Sequence, residues 1–294
     1  ASRINDNGDW PYLRSHPLTT QRIADMQQRQ QGLGRGAAPP PDYEALLLAG
    51  RARVLGRPGV DVLRAWAAEP TQPGFDSQPL PKRAGALYAA AMAQAQLRDL
   101  PKAQALAAQL AQAVSADPRG VHQARLLQAD LALQAGQPAK ALEWLPAPTA
   151  LPAQGAVLPA SPKTPRTALK AQSGRAALLM RAQALTATQR AGDAAAALQV
   201  WVSDQPRDAG AWQALSQAYG AQGQNLRALR AQGEVAMAHM DYAGAVDRWR
   251  AAQDFSRTQR GGSADLIDAS IVDARLRVAQ AALQQQREDE LKRR

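Results

Sequence analysis

The sequence predicts an all-α protein built from stacked helical hairpins. Three observations predict it. Hydrophobic residues make up 46% of the chain and aromatics only 4%, so Ala and Leu dominate the apolar fraction, with Gln and Arg as their polar companions. All four are strong helix formers. No run of strand length rich in Val, Ile or Thr is present, and no hairpin turn signal separates two such runs. Small and bulky apolar residues also recur at a spacing that folds two helices against each other around a tight turn. This composition argues against a sheet protein and against an ordinary mixed α/β fold.

In chain order, residues 1–35 do not share that spacing. Gly32 to Pro41 concentrates Gly and Pro and reads as a linker, flexible first and stiff over residues 36–41. Residues 42–145 read as a first set of helical repeats. They are interrupted by a loop from Glu69 to Pro81 that holds Pro70, Pro73, Pro79, Pro81 and Gly74. Pro146 to Pro165 carries six prolines with almost no apolar periodicity, and reads as an extended excursion. Residues 166–294 read as a second set of repeats, closed by a long capping helix from Ser263 with a charged outer end.

The clearest hairpin starts at Ala209. Counting that residue as 1, Trp212, Leu215, Tyr219, Gly223 and Ala228 fall at positions 4, 7, 11, 15 and 20. This is tetratricopeptide spacing. Trp212, Leu215 and Tyr219 would line one helix face, Gly223 would free the turn, and Ala228 would let the second helix approach. Ala129, Gly136 and Ala141, followed by Leu145, repeat the pattern. Gly192, Ala197 and Trp201 read as another copy, and Gly233, Ala236, Tyr242, Ala245, Trp249 and Ala252 as a further one that shares the helix Asn225–His239. Leu100 to Pro118 reads as a degenerate copy. The expectation is a solenoid of roughly four to six repeats, in which each hairpin buries its apolar face only against its neighbours. Trp66, Trp144, Trp201, Trp212 and Trp249 read as core residues.

The formal charge of +10 admits nucleic acid or an acidic protein as partner. The basic residues are mostly Arg spread along helices, without clusters or interleaved aromatics, so no nucleic acid is expected. Arg181, Arg227 and Arg230 read as candidates for a groove that holds acidic groups of a protein partner, as do Arg64, Arg98 and Arg125. Solvated helix faces are the alternative for each. Cysteine is absent, which excludes disulfides, thiolate metal sites and a cysteine nucleophile. No stretch of eighteen apolar residues exists, so no transmembrane segment is expected. The polar start, which lacks Met and an apolar signal segment, is expected to belong to a mature or truncated product.

Residues 13–25 read Leu13-Arg14-Ser15-His16-Pro17-Leu18-Thr19-Thr20-Gln21-Arg22-Ile23-Ala24-Asp25. This segment resembles the end of the catalytic domain of the M48 zinc metallopeptidases, which carry Leu-Arg-(Ser/Thr)-His-Pro-Leu and an Arg six residues after the His. The whole chain resembles one subgroup, the periplasmic barrel-assembly-enhancing proteases of Gram-negative bacteria, in which a tetratricopeptide region follows. The stretches Asp42 to Trp66 and Ala269 to Leu276 also look like that subgroup. By resemblance, His16 and Arg22 act in the intact enzyme. His16 would stabilise the oxyanion beside the zinc or approach the metal itself, and Arg22 would support it. Residues 1–35 would then be the C-terminal remnant of the peptidase domain.

One departure is large. The family's zinc site is His-Glu-x-x-His, yet the histidines here are His16, His122 and His239; none precedes Glu and no two lie four apart. The chain alone is therefore expected to hold no metal or other cofactor and to cleave nothing, with zinc belonging to the parent enzyme. His122 and His239 read as ordinary helix residues. The resemblance implies a periplasmic protein-interaction region that presents partners or misfolded envelope proteins to an upstream peptidase domain. The alternative is a freestanding tetratricopeptide scaffold with no protease.

Overall fold

A computed structural model of the chain describes residues 19–32, 42–56, 58–145, 174–258 and 263–293. These hold thirteen α-helices, one 3₁₀ turn and no strand. The predicted linker over 36–41 and the proline-rich excursion over 146–165 lie outside the described residues. The chain divides into two units, Ala1–Asp42 and Tyr43–Arg294. The first contains α1 (Thr19–Gly32). Its residues 23–29 are all exposed, and Asp25 pairs with Arg29 at 3.0 Å one turn on.

The second unit opens with α2 (Tyr43–Leu55), α3 (Val60–Ala68) and α4 (Leu80–Gln96), both earlier helices packing on the third. The predicted loop before α4 contains the 3₁₀ turn Glu69–Thr71 and buries Phe75, over whose ring Arg83 lies at 5.9 Å. Helix α4 also meets the next two helices, so every residue from Ala86 to Met92 is buried. Only small side chains allow that many neighbours, which is why this stretch is rich in Ala.

The chain then folds as successive hairpins: α4 with α5 (Leu100–Ala113), α6 (Pro118–Gln134) with α7 (Pro138–Trp144), α8 (Arg175–Ala187) with α9 (Ala191–Asp204), α10 (Ala209–Ala221) with α11 (Asn225–Ala238), and α12 (Tyr242–Thr258) with α13 (Ser263–Lys292). Consecutive helices pack from α4 to α13, and the core passes from one hairpin to the next as a series of clusters. Leu110, Leu127, Leu198 and Leu215 are each at most 1% exposed, worth about 1.5–3 kcal/mol apiece in apolar burial. The fold is an all-α helical-hairpin solenoid.

Caps fix the helix ends. Asp99, Asp117, Asp208 and Asp241 each accept a hydrogen bond from the backbone N–H three residues on. Five helices end in a Schellman turn whose left-handed residue is Arg98, Gly136, Gln189, Gly223 or Met240. At Gly223, for example, its own N–H reaches the Gly220 carbonyl at 3.0 Å, and that of Gln224 reaches Tyr219 at 2.9 Å. Gln189 and Gly223 stand 34 residues apart, the length of one hairpin.

The structure corrects two of the predicted copies. The turn before α9 is made by Gln189, and Gly192 lies inside the first turn of α9, exposed. Gly233 makes no turn at all; it is buried in the middle of α11, where Trp249 packs on it. The turn after α11 is made by Met240. Gly233 was misleading because Gly marks a close approach as readily as a left-handed turn.

Candidate functional site

His16 lies outside the described residues. Arg22 lies in α1, and its side chain is outside the described set. The six candidate groove arginines do not gather at one site; only Arg227 and Arg230 meet. Arg181, on α8, reaches back to the end of α7 and donates to the Leu145 carbonyl at 3.0 Å. Burial, and to a lesser extent Arg190, hold its pKa below the ordinary value.

Arg227 and Arg230 share one turn of α11 and converge on Asp268 of α13. Arg227 Nε donates to Oδ2 at 2.7 Å, and Arg230 Nη1 donates to Oδ1. Arg227 also donates to Gln224 Oε1 at 3.1 Å. Asp268 is 3% exposed, and two guanidiniums are what make a buried carboxylate tolerable there. One turn along, Arg275 of α13 grips buried Glu234 of α11 with two bonds of 2.7 and 2.5 Å, a bidentate fork. Arg275 also lies 5.4 Å over the Trp249 ring. Arg227 and Arg230, read from sequence as facing a partner, are thus engaged inside the chain, fastening the terminal helix to its neighbour, while Arg64, Arg98 and Arg125 are exposed.

Two cavities lie among the described residues. The first, about 590 Å³, opens between the start of α8, the α9–α10 connection, α10 and the end of α11. Its walls carry Arg175, Arg207, Asp208, Gly210, Gln213 and His239. Asp208 is its organising residue. Oδ1 accepts from Arg175 Nη2 at 2.8 Å and from Ala211 N at 3.1 Å; Oδ2 accepts from Arg175 Nε at 2.8 Å and from Trp201 Nε1 at 2.9 Å. These donors, Arg175 foremost, hold the carboxyl pKa down from 3.8 to about 2. The same bond raises the pKa of Arg175.

The second cavity, about 530 Å³, lies among α2, α3, α4 and α6. Arg51 and Asp130 look into it from walls of Leu55, Leu63, Met92 and Leu131. Arg51 Nη1 donates to the Tyr88 hydroxyl at 3.4 Å, and Asp130 accepts from Gln134 at 3.1 Å. Burial pushes the pKa of Asp130 up, against the nearby Arg51, and it pushes Tyr88 up in the same way.

Among the described residues, no three His, Cys, Asp or Glu side chains stand close enough to hold a metal ion. His122 is half-buried and His239 exposed. Of the tryptophans read as core, Trp249 is fully buried, while Trp66, Trp144, Trp201 and Trp212 are partly buried at the edges of the clusters. Among the described residues, no helix is long and apolar enough to cross a membrane.

Sequence reasoning missed Arg175, Arg207 and Asp208 as a group. One signal was available: Asp208 precedes a helical run at the position of an N-cap. Asp268 carried a second, since it falls in phase with Val272, Leu276 and Ala279 on the buried stripe of α13. An acid inside an apolar stripe demands a cation on the facing helix. No protein-family model matches the chain, and no curated protein matches it.

Proposed function

We propose that this chain is the protein-binding, helical-repeat part of an M48-type zinc metalloendopeptidase, of the periplasmic barrel-assembly-enhancing kind, and that it holds protein clients for a peptidase domain preceding it. The observation that carries the reading is the segment Leu13-Arg14-Ser15-His16-Pro17-Leu18 with Arg22, standing ahead of a helical solenoid. A solenoid supports it because stacked hairpins expose an extended surface of helix faces and connecting turns, suited to long unstructured segments of another protein. In the intact enzyme, His16 donates to the oxyanion that forms at the scissile carbonyl, and Arg22 orients it. Zinc would be held by the preceding domain and would supply Lewis-acid polarisation of that carbonyl.

Deletion in the full-length gene product tests this. Full-length protein should carry one equivalent of zinc and cleave an unfolded protein in a chelator-sensitive way. Removing residues 42–294 should abolish cleavage of the protein substrate and spare cleavage of a short peptide. A gene product with no zinc-dependent cleavage would leave a freestanding helical-repeat scaffold instead.

A further inference from the structure

We propose that the cavity lined by Arg175, Arg207, Gln213 and His239 is a binding site for the side-chain carboxylates of an acidic peptide segment. This rests on the reading of the chain as a protein-binding region and names the chemistry that one part of its surface recognises.

Asp208 is the acid in the cavity wall. Both oxygens of Asp208 already accept two hydrogen bonds, all from groups inside the chain. A carboxylate so saturated has no lone pair left for an incoming cation. It serves instead to hold Arg175. A guanidinium has five N–H donors, and Asp208 takes two of those on Arg175. The Arg175 side chain is still 54% exposed, so its remaining donors face the opening. Gly210 makes this placement possible: a Cβ there would lie 2.4 Å from Arg175 Nη2. The Nη2 end of the guanidinium therefore abuts the first turn of α10, fixed before any ligand arrives.

The other arginine is uncompensated. Arg207 and His239 are exposed, and neither has a side-chain partner among the described residues. Gln213 adds an exposed amide that donates or accepts. Two arginines against one consumed acid give the cavity a positive balance. An arginine held rigid by an internal carboxylate suits planar, two-bond recognition of a second carboxylate. A cavity of about 590 Å³ has room for one or two acidic side chains with their backbone. The second cavity also sets two arginines, Arg51 and Arg98, against one acid, Asp130, but among the described residues no hydrogen bond ties that acid to either arginine and holds it in place.

The probe is a fluorescent tetraglutamate peptide, acetylated and amidated so that side chains supply every charge. Titrated at low salt with the full chain, it should bind saturably, and the tetraglutamine counterpart should not. Arg207→Gln should weaken binding at least tenfold, Arg207→Lys should restore part of it, and salt should weaken it further. Arg250→Gln removes the same charge from an exposed position on α12 and should leave binding unchanged. The His239 imidazole proton signals should shift on titration of wild-type protein, a local readout that needs no variant. Equal losses in Arg207→Gln and Arg250→Gln would show attraction to net charge alone and overturn the site. Binding only of a peptide with a free terminal carboxylate, or a His239 signal that does not move, would overturn it too. Client cleavage that needs residues 42–294 in the parent, without tetraglutamate binding, would sink this site and leave the proposed function standing.

Discussion

Gly233 and Trp249 occupy a single volume between α11 and α12: a Cβ on Gly233 would lie 2.2 Å from Trp249 Nε1, which donates to the Arg230 carbonyl at 3.2 Å. The indole is thereby laid along α11 with its polar edge satisfied, and Arg275 closes over the other side. Gly233→Ala gains about 1 kcal/mol of helix propensity. Overpacking against a fully buried ring costs about 1–3 kcal/mol, so the net effect is destabilisation. Trp249→Phe should destabilise alone, yet cost less in the Gly233→Ala background. Urea denaturation of the four proteins of this cycle measures the coupling, and strict additivity would show that the two do not compete for space.

Asp268 is the point on which Arg227 and Arg230 converge. Asp268→Ala leaves two partly buried cations without their carboxylate and should cost about 3–5 kcal/mol. The loss should concentrate in α13, read as faster amide exchange there than in α8 and α9. Replacing all three with apolar residues of similar size should recover much of the stability. No recovery in the triple variant would mean that the charges contribute more than the packing around them.

Asp208 sets an acid limit. Its folded pKa, about 2, lies below the ordinary 3.8. The stability it contributes is therefore fully present above about pH 4 and is lost as pH falls through about 2. Asp208→Asn should destabilise the chain at pH 7 and show a shallower loss of stability between pH 4 and pH 2 than wild type. Parallel pH profiles for the two proteins would contradict the hydrogen-bonding account.

His16 is silent in this chain and active in the parent, on the reading proposed above. His16→Ala in the full-length enzyme should lower turnover about a hundredfold, the usual effect of losing one oxyanion donor. A rise in turnover would put His16 on the metal instead. Unchanged turnover would reduce the His16-Pro17 pair to the start of a helix.

Much of the fold was legible because hairpin spacing is local physics. Leu215, Tyr219, Gly223 and Ala228 do what their spacing demanded: the three side chains are buried and Gly223 has a φ of 71°. Ala129, Gly136, Ala141 and Leu145 behave in the same way. The turns at Arg98, Gln189 and Met240 were hidden. A non-glycine left-handed residue costs about 1–2 kcal/mol, and the packing of the flanking helices imposes it where no local signal announces it. The partners of Arg227 and Arg230 lie 41 and 38 residues away, on a helix whose rotation only the assembled core fixes. The cavity around Arg207 was hidden for the same reason, since it draws on three separate stretches of chain.

The most direct test of the proposed function is competition. The isolated chain, which should itself cleave nothing, is added in excess to the full-length gene product during cleavage of an unfolded protein and, separately, of a short peptide. If the chain holds clients for the peptidase, it should inhibit protein cleavage saturably and leave peptide cleavage untouched. Protein cleavage that proceeds at full rate in excess chain, or inhibition of both substrates alike, would contradict it.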